Sequence, residues 1–463
     1  MGLGAIALMR KPRRPDAPGP PDGRRAAVPT RVGVRPGGVA RRGSEALRLR
    51  LGMAEIRMCA PWKEIRKKDG APAAPAGPCV VITQRGATRL KAGHVWVYRS
   101  DVVSAEGVAP GAVVGVADER GRGFGSALYS TSSQIAVRMI SSGSVASFPE
   151  LLRERVEQAI AYREPLVRRT DAYRVVFSEG DLLPGLIVDR YNDIVSLQIL
   201  TQAMDAEPVR AALVAKLSER LQPAAIAERV DAHIRELEQL PAKESGLLQG
   251  EKTSTIFTMN GVRFHFDPRE GQKTGAFLDQ RENYAAAAEY ARGEALDVFC
   301  YQGAFALHMA ARGCKVTGVD SSRPALEIAD KNALLDQHDV EWIEANAFDL
   351  LKDYSGAGRH YDTIVLDPPA FAKTKKNLET ALRGYKELNL RALKMLRPGG
   401  TLVSCSCSYH VSEGGLLQVV AEAAQDAHRM LRLLEKRGQA KDHPVVLSIP
   451  ETSYLKCLIF HVN

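Results

Sequence analysis

The sequence lacks long apolar runs and clustered metal-ligand residues. No stretch of about eighteen apolar residues occurs that could span a membrane, and Arg10–Arg14 follow the short apolar start too soon for a secretory signal. The cysteines are odd in number, scattered and without C-x-x-C spacing. They are Cys59, Cys79, Cys300, Cys314, Cys405, Cys407 and Cys457. These absences favour a cytoplasmic protein with reduced thiols, no membrane span and no metal site.

Excess positive charge is missing from most of the chain. The formal charge is +9, yet residues 1–70 alone carry 17 Lys and Arg against 6 Asp and Glu. The remaining residues sum to −2. Net charge therefore gives no support for nucleic-acid binding by the folded body, and any RNA surface must be a local patch.

Composition divides the chain into four segments. Residues 1–77 are rich in Arg, Pro, Gly and Ala without periodicity, which predicts a disordered extension, and the sequence leaves open whether the expressed protein contains it. Residues 78–145 hold short β-branched runs between glycines, typical of a small β-barrel. Residues 146–258 predict a central α/β domain with an amphipathic helix over 149–169, a three-stranded meander and a helix over 206–221.

Residues 259–463 predict a Rossmann-like domain. From Ala295 onward, apolar strands alternate with amphipathic helices, which indicates a parallel sheet wrapped by helices. The predicted class is therefore α/β, preceded by the β-barrel and the central domain. Ligands of such sheets bind at the carboxyl ends of the strands.

The first strand-to-helix turn of this domain predicts a nucleoside cofactor without a pyrophosphate. Asp297 and Gly303 lie at that turn, and the next strand ends in Asp320, placed to accept hydrogen bonds from a ribose. A single glycine offers no close pyrophosphate cradle, so S-adenosylmethionine (SAM) matches better than a dinucleotide. Neighbouring residues assigned to the same site are Phe299, Phe305, Ser321, Asn346 and Ala347. A structural turn without ligand, with Asn346 as an ordinary loop amide, is the alternative.

A second strand runs into Asp367-Pro368-Pro369-Ala370-Phe371. The two prolines end the strand and stiffen the turn, which holds Asp367 at the edge of the sheet beside the cofactor site. In amino and nucleobase methyltransferases a turn of this type binds the nitrogens of a planar base, with the aromatic ring near it. Asp367, Pro368, Pro369 and Phe371 are therefore substrate-binding candidates; the alternative is a rigid turn with a solvated aspartate.

The strand GTLVSCSCSY supplies a candidate nucleophile. Its period of two places Val403, Cys405 and Cys407 on one face, with Cys407 nearest the carboxyl end. If this strand neighbours the one ending at Asp367, Cys407 and Asp367 meet across a flipped base. A thiolate adding to carbon 6 of cytosine makes carbon 5 nucleophilic, which predicts catalysis by Cys407 and packing by Cys405. The alternative is a cysteine that is only a small buried apolar residue.

Residues 79–463 resemble the bacterial 23S rRNA cytosine-C5 methyltransferases that carry an N-terminal PUA domain. The resemblance rests on GATRLKAGHVWVYRSDV, SALYSTSSQIAVRMI, SEGDLLPGLIVDRY, GQKTGAFLDQREN, DPPAF, SCS and DHPVVLSIPETSYLK. It implies an RNA-binding PUA barrel, SAM as cofactor, Cys407 as nucleophile and Asp367 as the base-binding acid. It further implies a segment that borders the cofactor's methionine end, namely Lys273, Thr274, Asp279, Gln280 and Arg281. Ala370 and Tyr284 depart from the family pattern, which puts the choice of substrate in question more than the reaction type.

Three functions follow as hypotheses. The leading one is C5 methylation of a cytosine in 23S rRNA, with contacts from barrel residues such as Arg85, Arg89, Lys91 and Arg99, any of which could equally be solvated. The second is nitrogen methylation of guanine or adenine in rRNA, which needs no thiol. The third is a catalytically silent RNA-binding or assembly protein. A homodimer is left open.

Overall fold

The computed structural model describes residues 77–269, 275–372 and 374–463, all within one compact unit. The predicted extension, apart from Gly77, and the predicted cofactor residues Lys273 and Thr274 lie outside the described residues. In the described parts of the chain, no helix combines the length and apolar character needed to cross a membrane.

The first described region is a barrel-like sheet of six strands, as the sequence predicts. Its strand order is β2-β6-β5-β4-β1-β3, and helix α1 (Gln84–Lys91) follows the first strand. Val80, Ile82, Trp96 and Val116 fill its interior. The strands are β1 (Cys79–Ile82), β2 (Trp96–Tyr98), β3 (Val102–Ser104), β4 (Val113–Asp118), β5 (Gly123–Tyr129) and β6 (Ile135–Ser141).

A second sheet of five strands carries the predicted meander. Its order is β11-β10-β9-β8-β7, and the three meander strands pair antiparallel. Helix α2 ends at Arg163 and not near 169, because Pro165 has no N–H with which to continue the helix. The elements are α2 (Phe148–Arg163), β7 (Ala172–Phe177), β8 (Leu186–Tyr191), β9 (Ile194–Ile199), α3 (Glu207–Leu221), β10 (Ala225–Glu228), α4 (Ala232–Leu237) and β11 (Gly246–Gly250).

A hairpin joins this sheet to the last region. Strands β12 (Thr255–Met259) and β13 (Val262–Phe266) pair antiparallel around Asn260-Gly261, both with positive φ (53° and 94°), as a tight hairpin turn requires. The proposed domain limit between 258 and 259 falls inside β12. The hairpin's aromatic side chains pack on the meander, where the rings of Tyr191 and Phe266 stack at 3.9 Å.

The last region is a seven-stranded sheet flanked by helices, so the predicted α/β class is confirmed. The order is β16-β15-β14-β17-β18-β20-β19; the first five strands are parallel, and β20 is antiparallel to both neighbours. The strands are β14 (Glu294–Val298), β15 (Lys315–Asp320), β16 (Val340–Glu344), β17 (Tyr361–Leu366), β18 (Leu396–Ser406), β19 (Leu431–Arg437) and β20 (Lys456–Val462). The helices are α5 (Arg281–Tyr290), α6 (Ala304–Ala310), α7 (Arg323–Leu335), α8 (Ala347–Gly356), α9 (Leu378–Met395) and α10 (Glu413–Asp426).

Two apolar layers cover the faces of this sheet, as the period of two requires. Ile364, Leu366 and Leu402 pack among the apolar side chains of α8, α9 and α10. Val403 and Cys405 belong to the other layer, with α5, α6 and the hairpin. The predicted adjacency of β17 and β18 is confirmed, with Leu366 opposite Ser404.

His308 in α6 is buried within the second layer as a neutral imidazole. Its Nδ1 lies 2.7 Å from the carbonyl oxygen of Ala304, and its Nε2 lies 3.1 Å from both the amide Nδ2 of Asn260 and the carbonyl oxygen of Met259. A neutral ring that donates from Nδ1 accepts at Nε2 from Asn260, and one that donates from Nε2 pairs with Met259. Burial lowers the pKa of His308 from its usual 6.5 to about 4.

This histidine should make the folded state sensitive to acid. Between pH 6.5 and 4 the unfolded chain binds a proton at His308 that the folded chain does not. The free energy of unfolding therefore decreases by about 3 kcal/mol as the pH is lowered through this range. The His308→Gln variant has no imidazole to protonate. Between pH 7 and pH 4, the free energy of unfolding of this variant, measured in urea, should therefore decrease by about 3 kcal/mol less than that of the wild type. Identical pH dependence in the two proteins would contradict the assignment.

Candidate active site

A cavity of about 320 Å³ lies at the carboxyl edge of β14, β15, β17 and β18. Ten of the site residues expected from the sequence line it together. These are Asp279, Gln280, Phe299, Phe305, Asp320, Ser321, Asp367, Pro368, Pro369 and Cys407. The edge of the parallel sheet therefore gathers residues that lie far apart in the chain.

The turn between β14 and α6 has unusual backbone geometry. Phe299, Tyr301 and Gly303 all have positive φ, at 67°, 50° and 83°. Such φ values cost a non-glycine residue roughly 1–2 kcal/mol, and hydrogen bonds from the N–H groups of Phe299 and Cys300 to the carbonyl of Val319 hold the turn in place. Gly303 does not line the cavity. The turn nevertheless requires glycine at this position, because a Cβ there would come within 2.6 Å of the Trp342 side chain.

Asp320 ends β15 with its carboxylate fixed by the backbone. One oxygen accepts from the N–H of Tyr301 and the other from the N–H of Ser322, both at 2.9 Å. A carboxylate oxygen can accept further hydrogen bonds, so Asp320 still suits a ribose diol. The neighbouring Ser321 lines the cavity as well.

Asp297 lies buried behind the turn and does not line the cavity. Its Oδ2 accepts from the N–H of Ala306 at 2.9 Å, and its Oδ1 has no hydrogen-bond partner within the described structure. Burial raises the pKa of Asp297 well above its usual value, and the negative charges of Asp367 and Asp320 raise it further. The environment is thus short of positive charge.

The described lining of the cavity suits a cationic ligand. It contains the carboxylates of Asp279, Asp320 and Asp367 and none of the described Lys, Arg or His side chains. SAM carries a sulfonium and an ammonium group, whose charges these carboxylates and the orphaned Oδ1 of Asp297 would complement. The residues present therefore fit SAM. No group of three or more metal-ligating side chains occurs among the residues that the structure describes.

The end of β18 directs alternate side chains to opposite sides. Cys407 lines the cavity, with its Sγ 3.9 Å from the carbonyl oxygen of Pro368. On the other side, Ser406 Oγ donates to the hydroxyl of Tyr385 at 2.9 Å, and that hydroxyl lies 3.2 Å from Ser408 Oγ. The N–H of Ala372 donates to Ser408 Oγ at 3.3 Å, which joins the turn after Asp367 to the turn that carries Cys407.

Cys405 is a core residue. It is fully buried opposite Cys457 of β20, and burial raises the pKa of its thiol well above the usual value. A buried, protonated thiol is a poor nucleophile. Two cysteines belong to the described cavity lining: Cys407 lies beside Pro368, whereas Cys300, in the turn after β14, is buried, and burial raises the pKa of its thiol well above the usual value.

Other predicted site residues do not line the cavity. Phe371 packs against the rings of Tyr385 and Phe348, at centroid distances of 5.0 and 5.9 Å. Asn346 caps α8 by accepting from the N–H of Phe348 at 2.9 Å, and Ala347 is buried in the core beside it. The interpretation of Asn346 as an ordinary amide thus has a structural basis.

Three predicted basic residues also lie away from the cavity lining. The guanidinium of Arg281 is buried and lies 3.1 Å from the carboxylate of Asp442. On the barrel, Arg85 is 66% exposed yet contacts the buried carboxylate of Asp101 at 2.5 Å. Lys91 lies 6.0 Å from the ring centre of Phe124.

The sequence motifs missed the role of the segment that enters β20. The hydroxyl of Tyr454 donates to Asp279 Oδ2 at 2.6 Å. Lys456 Nζ donates to the carbonyl oxygens of Ser408 and Tyr454 at 2.6 and 2.8 Å, and burial lowers the pKa of Lys456 to about 8. The SYLK motif was the available signal, but it did not place this segment beside the site.

Comparison with known proteins agrees with this geometry. A family model described as S-adenosylmethionine-dependent methyltransferase matches residues 187–461, and a PUA-like domain model matches residues 80–142. Proteins named ribosomal RNA large subunit methyltransferase I are similar along most of the chain. The relative from Shewanella denitrificans is 38% identical over 81% of this chain and 96% of its own length, and that from Tolumonas auensis is 38% identical over 79% and 94%.

The chain belongs to the ribosomal RNA large subunit methyltransferase I family. The predicted family and its SAM cofactor are thereby confirmed. A solved SAM-dependent methyltransferase from Streptococcus mutans has the same fold, with a TM-score of 0.71 at 19% identity, covering 83% of this chain and all of its own.

The turn of this methyltransferase gives a stability prediction. Gly303→Ala adds both left-handed strain and a clash with Trp342, whereas Gly313→Ala adds similar strain (φ 86°) in open space. We expect Gly303→Ala to cost about 1–3 kcal/mol more than Gly313→Ala, the usual penalty of overpacking. Urea unfolding of both variants measures this difference, and equal losses would contradict the packing role of Gly303.

Proposed function

We propose that this methyltransferase transfers the methyl group of SAM to carbon 5 of a cytosine in large-subunit rRNA, through a covalent adduct with Cys407. The relatives' names supply the class of RNA, and the PUA-like domain fits an RNA substrate. The observation that carries the chemistry is that Cys407 and Asp367, from neighbouring parallel strands, line one cavity with Asp320.

Several residues would hold the cofactor. Asp320 and Ser321 would bind its ribose, while Asp279 and Gln280 border the position expected for its methionine end. Asp297 would support the turn from behind by accepting from the N–H of Ala306. When bound, SAM supplies an electrophilic methyl group on a sulfonium.

Cys407, after β18, and Asp367, after β17, would act on the base. The Cys407 thiolate adds to carbon 6 of a cytosine flipped out of the RNA, while the Asp367 carboxylate accepts a hydrogen bond from the base's nitrogen edge. The electron pair displaced to carbon 5 would form the new bond to the methyl group, and the methyl–sulfur bond would break with its electron pair remaining on the cofactor's sulfur. A base then removes the proton from carbon 5, and elimination regenerates the double bond and the free thiolate.

Lys456 supports the thiolate in this scheme. Its Nζ is held against the carbonyl of Ser408, directly after Cys407, and the negative charge of a Cys407 thiolate favours the ammonium form of Lys456. An ammonium group at this position would stabilise the anion of Cys407 in return.

RNA binding would use the barrel. Lys91 and the exposed part of Arg85 offer positive charge there, although the contact with Asp101 offsets part of the charge of Arg85. Such contacts position RNA and do not read its sequence. A cytoplasmic location fits an rRNA substrate, and the homodimer left open by the sequence stays a prediction.

Nitrogen methylation of guanine or adenine is the second enzymatic hypothesis, since Asp367 and its prolines would suffice for it. The position of a thiol beside Asp367 favours C5 methylation. Mass spectrometry of the modified nucleoside separates these products.

Replacing the nucleophile tests the proposal. Cys407→Ala should reduce formation of 5-methylcytosine in unmodified 23S rRNA by at least about 1000-fold, because the proposed adduct forms on the Cys407 thiolate, while the Kd for SAM stays within about twofold. Cys405→Ala is the matched control and should retain activity within about threefold, because Cys405 only packs. A Cys407→Ala enzyme that still makes 5-methylcytosine would overturn the mechanism.

Replacing Asp320 tests the cofactor assignment. Asp320→Asn loses charge-assisted hydrogen bonds, so the Kd for SAM measured by calorimetry should rise about 10- to 100-fold. Asp353→Asn, an exposed change in α8 away from the cavity, should leave the Kd unchanged. Equal affinities in both variants would remove Asp320 from the site.

A further inference from the structure

A chain of hydrogen-bonded side chains runs from the end of β19 to Asp367. Arg437 Nε donates to Asn283 Oδ1 at 2.9 Å, and Asn283 Nδ2 donates to Gln280 Oε1 at 2.6 Å. Gln280 Nε2 then donates to Asp367 Oδ1 at 3.0 Å. The two amides are almost fully buried, with Gln280 2% and Asn283 1% exposed.

The chemistry of the partners fixes the direction of every bond in this chain. An arginine side chain has only donors, so the atom of Asn283 that faces Arg437 must be its oxygen. The nitrogen of Asn283 also donates to the carbonyl oxygen of Gly438 at 3.0 Å, and a carbonyl oxygen can only accept. Two independent contacts therefore orient Asn283, and Asn283 in turn orients Gln280.

The chain lies mostly outside the cofactor cavity. Gln280 lines the cavity, but Asn283, inside α5, and Arg437, at the end of β19, do not. Arg437 is itself held by the carboxylate of Glu435 at 2.5 Å. A change at Asn283 or Arg437 can therefore reach Asp367 without touching cofactor or substrate.

We propose that Arg437, Asn283 and Gln280 are positioning residues that direct an N–H group at Asp367 and so hold its carboxylate as a hydrogen-bond acceptor for the base. The inference deepens the proposed function and rests on it for the role of Asp367. A donated hydrogen bond favours the ionised carboxylate, whereas a reversed Gln280 would place Oε1 against Oδ1 and disfavour it. The donor of Arg437 and the acceptor of Gly438 would thus together set the protonation state of Asp367.

Asn283→Asp tests this without changing the shape of the side chain. Aspartate still accepts from Arg437 but cannot donate to Gln280, so the Gln280 amide should turn its nitrogen to residue 283 and its oxygen to Asp367. In single-turnover methyl transfer at saturating SAM, we expect the rate at pH 7 to fall about 10- to 100-fold, the factor for losing a hydrogen bond to a charged group. The acid limb of the pH–rate profile should move up by about one pH unit, with the Kd for SAM within about threefold.

Matched variants separate positioning from simple structural support. Asn192→Asp removes another amide donor, at the carbonyl oxygen of Ile256 in β12, and should leave the profile in place. Arg437→Met should shift the acid limb in the same direction but less than Asn283→Asp does, because the carbonyl oxygen of Gly438 still accepts from Asn283 Nδ2. Arg437→Lys, which keeps a donor, should shift it least. Arg437→Met also provides the test if Asn283→Asp does not fold.

The outcomes distinguish this inference from the proposed function. An Asn283→Asp enzyme with lowered melting temperature but an unshifted acid limb would overturn the positioning role. Identical profiles for Arg437→Met and Arg437→Lys would do the same. If the wild-type product is an N-methylated purine, the proposed function fails, yet the shift still reports on Asp367 because either base would meet that carboxylate.

Discussion

The parallel pairing of β17 with β14 and β18 is the constraint on which the site depends. Parallel strands present their carboxyl ends at one edge, and here the register sets Leu366 opposite Ser404. Asp367 and Cys407 therefore emerge side by side although forty residues of chain separate them. A register slip of one residue would turn Cys407 toward the Tyr385 side and Ser406 or Ser408 into the cavity. Strand parity thus decides which of these side chains faces the cavity.

Acidic side chains predominate at the cavity and directly behind it. The acids Asp279, Asp320 and Asp367 face the cavity, and Asp297 is buried close behind them, so their mutual repulsion and desolvation are unfavourable in the empty protein. A cofactor with sulfonium and ammonium charges offsets that cost. Strain at Phe299 and Tyr301 adds to the same region. Cofactor binding therefore relieves unfavourable terms that the fold alone leaves in place, and this makes the affinity sensitive to single carboxylates.

The structural features that the sequence predicts are those that depend on short-range residue patterns and on the topology rules of parallel sheets. Asp367 and Cys407 were assigned from strand ends, alternation and the two prolines, and their strands are indeed neighbours. Side-chain direction beyond a strand end follows no such rule, so the orientation of Phe371 toward Tyr385 was not foreseen. Long-range contacts are likewise invisible: β20 enters between β18 and β19 in antiparallel sense and brings Lys456 to Ser408 across 48 residues.

The C-terminal region around β19 and β20 completes the sheet and also holds residues 279–283 in place. The N–H of Ala440 donates to the carbonyl oxygen of Asp279 at 2.8 Å, Tyr454 holds its carboxylate, and Arg437 orients Asn283. Residues 279–283 are thus fastened by groups at least 150 residues later in the chain. Because buried polar groups cost free energy unless they are paired, these side chains specify one arrangement of the segment. The docking of β19 and β20 is therefore part of assembling the site, since Tyr454 contacts Asp279 and Arg437 contacts Asn283, which in turn contacts Gln280.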